Sequence, residues 1–239
     1  MEKDELYRMI DEREGFVSLA FPTLMRKVYL WMAFALVITG IVAFGVANTP
    51  SLAYMIFGSK VAFWGIIIAE FALVWYISAR IGRLSLSTAT VLFVLYSALN
   101  GAVLSIIFFA YSTTVITKVF LITAGTFSIM AFIGYQTKSD LTSLGKMLFM
   151  ALIGLIVATG VNLFMHSSTM DMLICYAGVI IFVGLTAYDS HVIKGMLAEC
   201  ADDGEDAQKL AILGSLTLYL DFINLFLYLL RIFGGRSND

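Results

Sequence analysis

The chain has 239 residues, 60% of them hydrophobic and only 13% charged, with a formal net charge of -2 and a mean hydropathy of +0.92. A water-soluble domain carries roughly a quarter charged residues to cover its surface, so these proportions exclude one. They also leave no basic field for nucleic acid, and 14% aromatics with two prolines exclude a disordered chain.

Residues 1–27 read as a charged tail. Glu2, Asp4, Glu5, Asp11, Glu12 and Glu14 crowd its start, and without an early apolar core no signal peptide is expected. Seven apolar runs follow, each near the twenty or so residues a helix needs to cross ~30 Å of hydrocarbon. They extend from Val28 to Ala47, Val61 to Ala79, Thr88 to Tyr111, Val119 to Tyr135, Met147 to Met165, Met172 to Val192 and Leu210 to Leu230. The runs are continuous, whereas strands of a membrane barrel alternate apolar and polar residues. The connections are short except for the stretch from Ile193 to Lys209. The predicted fold is therefore an all-α integral membrane protein: one compact seven-helix transmembrane domain over residues 28–231, with a short tail from 232 to 239. Cys175 lies in an apolar run and Cys200 in an acidic stretch, so no structural disulfide is expected.

Lysine and arginine set the orientation. With the amino terminus in the cytoplasm, the inner segments hold Lys3, Arg8, Arg13, Arg26, Lys27, Arg80, Arg83, Lys138, Lys146, Lys194 and Lys209. The outer ones hold only Lys60, Lys118, Arg231 and Arg236. The positive-inside rule then places the amino terminus inside and, after seven crossings, the carboxyl terminus outside. A re-entrant last span would suit Arg231 and Arg236 better and would leave both ends inside.

Three carboxyl groups stand where hydrocarbon makes charge expensive, at ~2.5 to 3.5 kcal/mol for an ionised side chain near the bilayer centre. Glu70 lies mid-run in the second span, Asp189 near the inner end of the sixth and Asp221 mid-run in the seventh. No lysine or arginine lies within a run, so each acid must be neutral, share a proton with another acid, bind a cation or reach an arginine at a span end such as Arg80 or Arg83. Asp189 and Asp221 reach the same depth if the seventh helix begins in the preceding loop.

The polar residues around them are few. Asn224 follows Asp221 by three residues on the same helix face, and Ser97, Asn100 and Ser105 form a small, polar stripe on the third span. Such stripes usually make helix contacts, with the lining of a narrow ion path as the alternative. His191 follows Asp189 by two and points elsewhere, as an interfacial histidine whose titration range suits a pH response. His166 is on the opposite side, and no transition-metal spacing is present. Glu199, Asp202, Asp203, Glu205 and Asp206 lack the calcium-loop pattern and read as a solvated acidic loop at the inner mouth.

Three stretches resemble the Bax-inhibitor-motif family of membrane proteins, and in particular its small bacterial members. LYLDFINLFLYLLRIFG at 218–234 is similar to the family's last-helix signature, TAYDSHVI at 186–193 to its Tyr-Asp motif, and GYQTKSDLTSLGKML at 134–148 to its inner loop. The resemblance implies a last helix at the centre of the other six and a pH-sensitive calcium leak; the positive-inside orientation and the lack of a signal peptide lead to the expectation of a multi-pass protein of the plasma (inner) membrane with its amino terminus in the cytoplasm. In that picture Asp189 and Asp221 are the pH-sensing pair and the residues that meet the metal. Arg80 is the gating contact, with Arg83 as a competing match, and Glu70 belongs to the ion pathway, which the polarity of Asn100 and Asn224 on their own helices extends to those two residues. No cofactor is implied, calcium being the transported ion; the partners are calcium, protons, the lipid bilayer and other membrane proteins. His191, where the family has a neutral polar residue, and the long 194–209 stretch depart from the pattern.

Other readings keep a place beside the leak. A calcium/proton antiporter would use the same acids, and a non-conducting modulator of a membrane protease or stress response needs none of them. Two late aspartates also suit an intramembrane aspartyl protease, but Asp221 lacks the Gly-x-Gly-Asp setting and prolines occur only at 22 and 50, so no enzyme is expected.

Overall fold

The computed structural model describes residues 21–200 and 204–234. Among them the chain is helical throughout, as α1 Phe21–Ala47, α2 Pro50–Phe57, α3 Lys60–Arg80 with a 3-10 turn Ile81–Arg83, α4 Leu86–Leu104, α5 Ile107–Ala110, α6 Thr113–Gln136, α7 Thr142–Met165, α8 Ser168–Ala198 and α9 Glu205–Phe233. Seven stretches are long and apolar enough to cross a membrane, with α4 and α5 forming one of them.

Polar side chains mark where the helices start and stop. Ser59, Ser85 and Ser112 each accept a hydrogen bond from the backbone N–H three residues on, at 3.4, 3.2 and 3.4 Å, capping α3, α4 and α6. Pro50 opens α2, where its missing N–H costs nothing. At the end of α7, His166 takes a left-handed conformation with φ 52°, Asn162 accepts from the Ser167 N–H at 3.1 Å, and Ser167 in turn accepts from the Met170 N–H at 3.3 Å, turning the chain into α8.

The helices run past the ends of their apolar runs. The stretch from Ile193 to Lys209, read from the sequence as a long loop, is instead helical to Ala198 and again from Glu205. Helical backbone satisfies its own hydrogen bonds and does not need to stop where the lipid does. The amino-terminal acids up to Glu14, together with Asp202, Asp203 and Arg236, lie outside the described residues.

The chain packs as two units. The first contains residues 21–106 and 193–216, the second 107–192 and 217–234. In the first, α1 and α3 pack on α4. Thr39 donates to the Ser97 carbonyl at 2.9 Å, and Gly101 lets the α1 backbone come so near that a β-carbon there would stand 2.6 Å from the Thr39 carbonyl oxygen. Ser215 of α9 donates to the Val28 carbonyl at 2.9 Å, and Glu205 accepts from the Leu86 N–H at 3.0 Å. In the second, Phe120 and Phe127 of α6 meet Phe222 and Phe226 of α9 edge to face, at 5.4 to 6.2 Å between ring centres. Side chains such as Ile41, Phe71 and Ile156 are exposed, as lipid-facing residues must be. The last helix is the most enclosed: 67% of its apolar stretch is buried, against 6 to 44% in the others.

Candidate functional site

The second unit brings two of the three intramembrane acids together. On α8, Gly178, Phe182, Leu185 and Asp189 recur at helical spacing and share one face; on α9, Asp221 and Tyr228 are two turns apart on one face. Tyr228 stacks on Phe182 with ring centres 5.8 Å apart and lies over Gly178, where a β-carbon would meet its ring at 2.7 Å. Further along, the Asp189 and Asp221 carboxyls hydrogen-bond each other. Asp221 is 5% exposed and its Oδ2 is buried with no partner; Asp189 is half-buried. A carboxylate only accepts, so a carboxyl-to-carboxyl bond requires one of the two to carry a proton. The pair therefore carries at least one proton while that bond is made.

The first unit holds the third acid. Glu70 on α3 is hydrogen-bonded by the Asn100 side chain on α4, and Tyr96, one turn before Asn100, is within electrostatic reach of it. Its Oε1 is nonetheless buried without a partner. A carboxyl and an amide on facing helices, with a phenol beside them, form a compact set of oxygen and nitrogen groups in an otherwise apolar wall.

The family model described as "Inhibitor of apoptosis-promoting Bax1" matches residues 22–238. The chain belongs to this Bax-inhibitor family. Among its relatives, the "Inner membrane protein YbhL" of Escherichia coli K12 is 49% identical over 90% of this chain and 92% of its own. Uncharacterised proteins of Borreliella burgdorferi and Deinococcus radiodurans are 45% and 41% identical, each over at least 90% of both chains.

The other residues singled out in this Bax-inhibitor chain have more ordinary settings. Asn224 donates to its own helix, at the Leu220 carbonyl 2.8 Å away. Ser97 and Ser105 likewise bond their own helix, and the Ser97 carbonyl takes the hydrogen bond from Thr39, so this part of the polar stripe joins helices. Arg80 stands exposed in the last turn of α3, in the first unit. Two of the acids read as a solvated loop are engaged: Glu205 binds the start of α4, and Asp206 pairs with Lys209 at 2.6 Å. Among the described residues no three His, Cys, Asp or Glu side chains converge on a metal position, so a cation at Asp189 and Asp221 would draw its remaining ligands from backbone, hydroxyls or water.

Sequence reasoning did not single out Ser190 or Tyr96, and it counted Lys209 only as an inner-side cation. Ser190, beside Asp189, is wholly buried with its hydroxyl unpartnered, and Lys209 is a nearly buried cation. Neither shows in a hydropathy pattern. Tyr96 could have been found from its spacing, four residues before Asn100 on one helix face. His191 stands out in the sequence, but nothing there shows that it lies within electrostatic reach of Asp140 in the α6–α7 connection, with its own Nδ1 buried and unpartnered.

Proposed function

We propose that this protein is a pH-sensitive calcium leak channel of the bacterial inner membrane, gated by the protonation state of the Asp189–Asp221 pair. The observation that carries the reading is the hydrogen bond between the two carboxyls on the most enclosed helix and its neighbour. It requires at least one proton on the pair, so losing that proton changes what holds α8 to α9. Calcium favours hard oxygen ligands, and the released carboxylates supply them at low occupancy, as a leak requires. Glu70 with Asn100 forms a further oxygen station, and Arg80 is the gating cation that the family resemblance assigns. The inner-membrane location is carried over from the Escherichia coli relative, whose name states it.

The test is calcium flux into liposomes holding the purified protein, followed across pH for the native chain and for Asp189→Asn and Asp221→Asn. Flux that depends on pH in the native chain and loses that dependence in both variants supports the reading. Unchanged flux and pH response in both variants removes the pair from the mechanism, and uphill calcium movement driven by a pH gradient would make the protein an antiporter instead.

A further inference from the structure

The stretch from Gly134 to Leu148 carries one of the three family resemblances, yet it contributes no acid to the pair and no residue to the proposed ion path. Its two glycines stand against α8. At Gly134, near the end of α6, a β-carbon would collide with the Ala187 carbonyl oxygen and stand only 2.7 and 2.8 Å from the Ala187 carbonyl carbon and Cα. At Gly145, in the first turn of α7, a β-carbon would collide with the Tyr188 ring, whose Cδ2 would be 2.7 Å away and other atoms closer still.

Successive residues of a helix point about 100° apart. Ala187, Tyr188 and Asp189 therefore face three directions, and each direction has a partner: α6 at Gly134, α7 at Gly145 and α9 at Asp221. The five residues between α6 and α7 are braced by Asp140, whose Oδ1 accepts from the Thr142 N–H at 2.8 Å, so the α6–α7 hairpin presents both glycines together. The other glycines of these two helices differ. A β-carbon at Gly125 in α6, or at Gly154 or Gly160 in α7, would have nothing within 4 Å of it.

We infer that Gly134 and Gly145 are positioning residues for the aspartate pair: the α6–α7 hairpin clasps α8 at Ala187 and Tyr188 and thereby fixes the rotation and height at which Asp189 meets Asp221. The inference deepens the proposed function, and only its flux consequence rests on that reading. At Gly134 the neighbour is backbone, so any side chain drives the α8 main chain away. At Gly145 the neighbour is the outer part of a ring, which can swing.

Infrared difference spectroscopy of the full-length protein in lipid tests this without any transport. The band of the hydrogen-bonded carboxyl pair is identified as the one lost in Asp189→Asn. Gly145→Ala and Gly134→Ala are expected to lose or displace that band while the protein remains folded by thermal unfolding, and Gly125→Ala and Gly154→Ala to keep it. Gly145→Ala with Tyr188→Leu, which removes the ring from the collision, is expected to restore it. A native band in both folded clasp variants overturns the inference, as does equal displacement by the control glycines. Should both clasp variants fail to fold and the Tyr188→Leu combination fail equally, the glycines serve folding alone and the inference also falls. If native liposomes show no calcium flux, the proposed function fails while the carboxyl band still decides the clasp.

Discussion

Arg231, in the last turn of α9, pairs with Asp171, in the first turn of α8, at 3.3 Å between Nη1 and Oδ1. Tyr228 on Phe182 and Asp221 on Asp189 continue the same antiparallel series. A re-entrant last span would turn back before reaching the start of α8. Instead α9 is an unbroken helix of 29 residues, about 43 Å at 1.5 Å per residue, and exceeds the ~30 Å of hydrocarbon.

Both side chains of that ion pair are 51% exposed. Arg231→Gln is therefore expected to lower stability by less than about 1 kcal/mol, and the difference from the native protein should fade as salt is raised. Thermal unfolding in detergent at low and high ionic strength measures this. A large loss that salt does not touch would mean that the pair is a buried lock.

Removing one carboxyl of the aspartate pair should cost more. Asp221→Ala strips the half-buried Asp189 of its partner, a loss of about 1 to 3 kcal/mol. Asp221→Asn keeps a donor in the same place and should lose less. Equal unfolding midpoints for the Ala and Asn variants would show that the bond contributes nothing to the fold.

Gly101 and Gly40 offer a paired test of packing in the first unit. A methyl at Gly101 meets the Thr39 carbonyl at 2.6 Å and the Val42 Cβ at 3.0 Å, so Gly101→Ala should destabilise by about 1 to 3 kcal/mol through overpacking. At Gly40 nothing stands within 4 Å, and Gly40→Ala should be neutral or gain up to about 1 kcal/mol from helix propensity. Melting curves of the two variants side by side check the contrast.

Asp140, in the short connection between α6 and α7, gives a pH dependence with a definite sign. Hydrogen bonds from the Thr142 side chain and backbone hold its carboxyl below the usual carboxylate range. A group whose folded value is depressed stabilises the fold above its unfolded value and loses that contribution as pH falls through the folded one. The stability difference between the native protein and Asp140→Ala should be present at neutral pH and vanish in acid, below the ordinary carboxylate range. A difference that grows in acid would contradict the assignment.

The seven crossings were legible because length and apolar content together leave a chain few options in a bilayer. Glu70, Asp189 and Asp221 stood out for the same reason: a carboxyl in an apolar run is costly in hydrocarbon unless it is neutral or partnered. Helix ends were not legible. Hydropathy reports where lipid stops, while the backbone of α8 continues to Ala198 by satisfying itself. The clasp was hidden differently, since a glycine against a carbonyl and a glycine against lipid look identical in sequence. Gly134 and Gly125 differ only in what lies opposite them.

Each packed unit is built from an early stretch and a late one, and both late stretches include part of the last helix. Leu86 donates to Glu205, 119 residues downstream. At ~5 to 20 residues per second of synthesis, this partner emerges roughly 6 to 24 s afterwards. By the end of that interval six spans have been made with neither unit closed. A stop codon before residue 205 would leave both units without a wall at once, so the closure of each waits for α9.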